Sequence, residues 1–252
     1  MNNSKKGLVI IVLLTMTLIA ILGVGIVKTK KLNAKNQKEF MEFREAFNNE
    51  TLEKETKAAD FVGKVKEKQE VNMLILGDGL AASQGKTTDD GIWSDGVSNF
   101  IKSTYGSEVK LQVISESKAK IEDGLNTVNL NDISNNDLII LCYGSNDSSD
   151  FTSIDSFKGN YNNMVKKVKE ENPNATVIVV LPSNLSLDNK YRLKIMEVCN
   201  ENGLAYADMK TSFQQSGYAE SKLTKNSLPT DMGYQIYSQT INNIIKSLIV
   251  LM

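Results

Sequence analysis

The 252-residue chain contains no histidine. Imidazole is the side chain whose ordinary pKa lies nearest neutrality, so the commonest general base of neutral-pH catalysis is excluded. Cysteine is scarce too: the 2 residues are Cys142 and Cys199, far apart in the chain. Without histidine, and with so few thiols, a zinc site has no ligand set. Carboxylates could still hold Ca²⁺ or Mg²⁺, but no EF-hand loop pattern is present. Both cysteines read as small buried hydrophobes in preference to a disulfide. An excess of charge is also missing: 29 basic against 30 acidic residues leave a formal net charge of -1, so nothing points to nucleic acid as a partner. No cofactor and no metal is called for. What is present, 41% hydrophobic and 23% charged residues, is the composition of a globular protein with room for one good-sized domain and additional segments.

Residues 7–27, "GLVIIVLLTMTLIAILGVGIV", carry no charge and are long enough to cross a bilayer as a helix. Residues 1–6 are then a short N-terminal tail. A cleaved signal peptide is the competing reading, but its apolar core is usually shorter and ends in a small-x-small site, which is not evident here. No cysteine follows the run, which excludes lipoprotein processing. Lysines flank both ends: Lys5 and Lys6 before, Lys28, Lys30 and Lys31 after. Counting charge alone would keep the soluble part inside. The very short N-terminal tail with its own lysines favours a single-pass anchor with the soluble part outside. Residues 28–70 form a charged stretch read as a helical stalk, in which Phe40, Phe43 and Phe47 recur at helical spacing. That face would pack on the globular domain or mediate self-association beside the membrane.

From Val71 to the end the pattern alternates strand and helix, in a domain spanning 71–252. The strands are "VNMLIL", "VKLQVI", "DLIILCYG", "ATVIVVLP" and "LAYADM". Between them the spacing predicts a helix marked by Trp93, Val97, Phe100 and Ile101, a short one over 121–128, a long one over 157–171 and one over 189–202 stopped by Asn202-Gly203. A last helix covers 231–248. Near-continuous apolar strands separated by helices predict an α/β fold, a three-layer αβα sandwich around a five-stranded parallel sheet. Ligands of such sheets bind beyond the carboxyl ends of the strands.

The loop after the first strand, "GLAASQGKTT", has the look of a phosphate loop. Yet Gly79 and Gly85 enclose five residues where the motif needs four, and "TTDDG" is a poor helix start, so nucleotide binding is set aside. A different set of loops fits better. The first strand ends in Gly77-Asp78-Gly79-Leu80, the third in Gly144-Ser145-Asn146-Asp147, and "LTKNSLPTDMGYQIYSQ" precedes the last helix. In order and spacing this set resembles the SGNH/GDSL hydrolases, which carry a G-D-S-L turn, a later G-x-N-D turn and a D-x-x-H-P segment. The resemblance covers about 72–248 and implies an esterase or acylhydrolase fold. Trp93, "ENPNATVIVVLP" and Tyr206-Ala207-Asp208 support it.

Such a site needs a serine nucleophile, a histidine base, an acid to orient it and an oxyanion hole. Carried onto this chain, the nucleophile position is Gly79. If Pro229 matches the family proline, the histidine position is Leu228 and the acid position Lys225. The oxyanion glycine falls near Lys118 in a loosely aligned loop. Asn146 survives, with Asp78 and Asp147, whose expected work is hydrogen bonding within turns; Gly77 and Gly144 are turn glycines. Losing a triad member costs roughly 10⁴–10⁶ in rate, and here all three are missing. A rescued hydrolase would have to use Ser83 or Ser145 with Lys118, Lys225 or Asp231 as base, which requires a desolvated lysine. Three readings follow: an inactive hydrolase-like domain binding an envelope glycan, an acylated ligand or a partner enzyme; an esterase with a relocated nucleophile; and a structural membrane partner working through its stalk. A space between Gly79 and Asn146 plugged by Lys118 and Leu228 would count against small-molecule binding.

Overall fold

The computed structural model describes residues 60–130 and 133–251. The expected anchor at 7–27 and the Phe40–Phe43–Phe47 face lie outside the described residues. Among the described residues no helix is long and apolar enough to cross a membrane.

Five strands, β1 (Val71–Gly77), β2 (Val109–Ser115), β3 (Leu138–Cys142), β4 (Thr176–Leu181) and β5 (Ala205–Asp208), form one parallel sheet in the order β2-β1-β3-β4-β5. Side chains of successive strand residues point to opposite faces, and the packing follows. Met73, Ile75, Leu138, Ile140, Cys142, Ile178 and Val180 face one core; Leu74, Leu76, Ile139, Leu141, Val177, Val179 and Leu181 face the other. The first core is covered by α2 (Trp93–Tyr105) and α9 (Asp231–Leu251), the second by α3 (Ile121–Leu130), α5 (Ile154–Glu171) and α6 (Lys190–Asn202). The sheet is the middle layer of three. Cys142 and Cys199 are free, buried, and belong to opposite cores.

Strand β2 departs from the apolar expectation. It is the sheet edge, with Lys110, Gln112, Val113 and Ser115 exposed, because it has a strand neighbour on one side only. A second departure concerns residues at the end of the expected stalk. Residues 61–66 form α1 (Phe61–Lys66), capped by the Asp60 carboxylate, which accepts from Gly63 N at 2.8 Å. Phe61, Val62 and Val65 are buried in the first core. Lys64 adds an ion pair to Asp137, whose carboxylate also accepts from Asn72 N, tying α1 to the start of β1.

Short elements complete the carboxyl side of the sheet: α4 (Ser145–Ser149), α7 (Met209–Gln215), α8 (Glu220–Leu223) and the two-stranded antiparallel hairpin of β6 (Thr224–Lys225) and β7 (Leu228–Pro229). The hairpin turn is Asn226-Ser227, with φ of 52° and 64°. Positive φ at both central residues is the turn geometry that matches the twist of paired strands.

Candidate functional site

The strand order reverses at β1, whose neighbours β2 and β3 lie on opposite sides. In open parallel sheets the crevice for ligands lies at that point, past the carboxyl ends of the strands. The turns that carry the motif residues leave from there. Gly77 pairs with Cys142 across the sheet, and a Cβ at Gly77 would fall 2.5 Å from the Cys142 carbonyl oxygen, so only glycine fits this close approach. Asp78 N then donates to the same carbonyl at 3.0 Å. Gly144, at φ 116°, turns the chain after β3 into α4, and a Cβ there would meet Ile195 Cδ1 at 2.9 Å.

Where the family resemblance puts the nucleophile, Gly79 offers no side chain. The space a side chain would enter is held by Gln84: a Cβ on Gly79 would lie 1.8 Å from Gln84 Oε1. Three hydrogen bonds hold Gln84. Its N donates to Gly79 O at 2.8 Å, its carbonyl accepts from Tyr234 OH at 2.7 Å, and its Oε1 accepts from Ser117 Oγ at 3.2 Å. On its C-terminal side Gly85, at φ 95°, abuts Leu228. Sequence reasoning missed Gln84. The only signal available was its place in a glycine-bounded loop, which does not say which way the amide turns.

Asn146 lies half-buried at the start of α4 and does not face an empty oxyanion position. Its Nδ2 donates to Ser117 O at 3.1 Å and Ala119 O at 2.9 Å, which uses both amide protons. Asn146 therefore clamps the loop between β2 and α3. Lys118, between the two clamped carbonyls, is exposed and does not plug the crevice. The atoms nearest to where a Gly79 side chain would begin all belong to Gln84, which follows in the same tight turn, and not to Lys118 or Leu228. Leu228 is half-buried against Gly85 and the first core, and Lys225 stands exposed across the hairpin from it.

Two carboxylates are buried beneath these turns. Asp78 Oδ1 accepts from Leu80 N at 2.9 Å, while Oδ2 has no hydrogen-bond partner among the described residues. Burial pushes Asp78 up to about 7; the Leu80 N–H opposes that and the nearby Asp147 charge adds to it. Asp147 Oδ2 accepts from Ile121 N at 3.0 Å, at the start of α3, and its Oδ1 is likewise unpartnered. Burial raises it to about 6, against the pull of the Ile121 N–H and the Lys120 charge. Asp78 thus holds its turn and Asp147 the start of α3.

The candidate replacement groups are occupied elsewhere. Ser83, at φ 57° and buried, accepts through Oγ from Trp93 N at 3.2 Å. Ser145 Oγ accepts from Asn184 Nδ2 at 2.6 Å. No lysine or carboxylate hydrogen-bonds either hydroxyl among the described residues. Asp231, at the start of α9, accepts from Thr87 N at 2.7 Å and from both Thr87 and Thr88 hydroxyls, and the Thr87 hydroxyl holds its pKa below the usual carboxylate value. That lowers its strength as a base. No three His, Cys, Asp or Glu side chains come together as a metal site among the described residues.

A cleft of about 270 Å³ opens to one side, over the carboxyl ends of β4 and β5. Ser183 and Asn184 after β4, Lys210 on α7, and Glu220 and Ser221 on α8 wall it, and the hairpin closes it with Thr224 and Ser227.

Residues 75–236 match the family described as GDSL-like Lipase/Acylhydrolase. No curated protein matches the sequence significantly. Among solved structures, a two-domain esterase active on acetylated mannans superposes with a TM-score of 0.61 at 16% identity, covering 74% of this chain and 51% of that one. The chain thus spans about half the length of that esterase. The acetylxylan esterase Axe2 of Geobacillus stearothermophilus gives 0.58 at 14% identity, covering 71% of this chain and 96% of that one. The psychrotrophic esterase EstA of Pseudoalteromonas sp. gives 0.58 at 17% identity, with 71% and 98% covered. At these identities the likeness establishes the shared fold.

Proposed function

The chain belongs to the GDSL-like lipase/acylhydrolase family, and on that premise we propose that it keeps the fold of an esterase and binds without hydrolysing. One observation carries this reading: the nucleophile position is a glycine whose side-chain space is held by the Gln84 amide. The rest of the mechanism has no replacement at hand. A histidine is absent from the whole chain, Asn146 spends its amide protons on backbone carbonyls, and Asp231 is held by Thr87 and Thr88. An attacking alkoxide needs a base that can take its proton in hydrogen-bond reach, and neither Ser83 nor Ser145 has one.

The ligand class follows from the family and from the fold's relatives, which act on acetylated mannans and acetylated xylan according to their descriptions. An acylated or plain glycan of the cell envelope, or an enzyme acting on one, is the partner this reading favours. Residues 7–27 would anchor the chain in the cell membrane with the domain outside, and the 28–60 stretch would space it from the bilayer or pair it with a second copy. The test is covalent labelling of the purified full chain by a fluorophosphonate, mapped by mass spectrometry. The reading expects no modified serine. A single serine labelled in the folded chain and spared in the denatured chain would establish a relocated nucleophile instead.

A further inference from the structure

With the nucleophile turn occupied, a ligand needs another seat. We propose that the cleft over the carboxyl ends of β4 and β5 is that seat, and that it takes a neutral polyhydroxylated ring, one saccharide unit. The inference rests on the non-hydrolytic reading above and names where its ligand sits.

Position comes first. The cleft lies past the carboxyl ends of β4 and β5, to one side of the reversal at β1, and one hydrogen bond, Asn184 Nδ2 to Ser145 Oγ at 2.6 Å, joins it to the Gly144–Asn146 turn. Its volume, about 270 Å³, falls just below the usual span of small-molecule sites, roughly 300–1,000 Å³, so it suits one ring better than an extended chain.

Chemistry decides the class. None of the lining residues is aliphatic or aromatic. An acyl chain placed there would strip water from hydroxyl and amide groups and return no hydrogen bond, which is unfavourable. An anion is no better served. The one cation in the wall, Lys210, already pairs with Glu220 at 2.8 Å, so the wall carries no net charge to offer. What remains open are neutral donors and acceptors. Ser183 is buried with its Oγ accepting from Tyr237 OH at 3.0 Å, which leaves its own proton for a ligand oxygen. Asn184 has committed one amide proton, leaving a second proton and its carbonyl oxygen. Ser221 and Ser227 add hydroxyls from α8 and the hairpin turn. Closely spaced hydroxyls and an amide that both donate and accept match the vicinal hydroxyls of a sugar, which do the same.

Two features keep these groups in place. Tyr237 also accepts from Ser183 N at 3.1 Å, so the loop after β4 is pinned to α9. The hairpin that carries Ser227 is fixed by Thr230 N donating to Leu223 O at 2.9 Å.

The experiment is isothermal titration of the full chain with xylotetraose, mannotetraose and chitotetraose. It is repeated on Ser221→Trp, which fills the cleft from an exposed position, and on Gln84→Ala, which opens the nucleophile turn; circular dichroism confirms that each is folded. At least one tetrasaccharide is expected to bind one to one, at least tenfold more weakly in Ser221→Trp and unchanged in Gln84→Ala. No binding to the folded chain by any of the three, or binding indifferent to Ser221→Trp, overturns the proposal. Acetate release from acetylated xylotetraose would instead overturn the non-hydrolytic reading. In that case a raised KM in Ser221→Trp would still place the ligand in this cleft.

Discussion

Asp78 and Asp147 are buried carboxylates, and this sets how the domain responds to pH. The ordinary value for Asp78 is 3.8 and burial raises it to about 7. Between those values the folded chain holds a proton that the unfolded chain has released. Stability therefore falls as pH rises through that window, by roughly 1 kcal/mol per pH unit for a single group, and levels off above it. Asp147, raised to about 6, adds a shorter slope of the same sign. Asp78→Asn keeps an oxygen for the Leu80 N–H and has no proton to lose. Its melting temperature is expected to drop less between pH 5 and pH 8 than that of the parent chain, measured by scanning calorimetry. Parallel curves would show that Asp78 does not carry the shift. Asn146 gives a second residue-scale prediction. Asn146→Ala removes two hydrogen bonds from the loop carbonyls of Ser117 and Ala119 and should cost about 0.5–1.5 kcal/mol in denaturant unfolding. An unchanged unfolding midpoint would remove its role as a clamp.

At the scale of elements, the hairpin of β6 and β7 holds two non-glycine residues at positive φ, Asn226 at 52° and Ser227 at 64°. Glycine adopts that region without the steric cost a side chain incurs. Ser227→Gly, which gives the Asn-Gly pair this turn favours, is expected to stabilise the chain by about 0.5–1 kcal/mol, seen as a rise of a few degrees in melting temperature; a fall would mean that the Ser227 side chain holds the turn. The long elements were readable because each repeats one period over many residues. The helix at α5 begins at Ile154, three residues before the predicted start, and α9 reaches Leu251 in place of 248. What was not readable is short or composite. Two-residue strands carry no period, and α1 hides its three apolar side chains in a lysine- and glutamate-rich stretch. The exposure of β2 depends on its place at the sheet edge, which "VKLQVI" does not encode by itself.

At the scale of the molecule, the proposal separates family membership from chemistry. The fold aligns over residues 75–236 with a family of acylhydrolases, while the side chains that would attack and shuttle protons are absent or employed in turns. The absence of histidine was legible in the composition, and the empty position at Gly79 in the motif. The plug was not, because Gln84 reaches Gly79 through a turn made of Ser83 at φ 57° and Gly85 at φ 95°, a conformation that local sequence does not fix. The same scale carries the topological proposal. Cys142 and Cys199 are buried, so Tyr218→Cys, at a position 53% exposed, offers the one exposed thiol among the described residues. A membrane-impermeant maleimide should label it in intact cells; labelling only after lysis would place the domain inside.

Steady-state hydrolysis tests the central claim most directly. The full chain, incubated with nitrophenyl acetate and with acetylated xylan across pH 5 to 9, is predicted to release product no faster than the same protein after heat denaturation. Turnover above that blank, lost in Asn146→Ala and retained in a surface control such as Lys166→Ala, would contradict it.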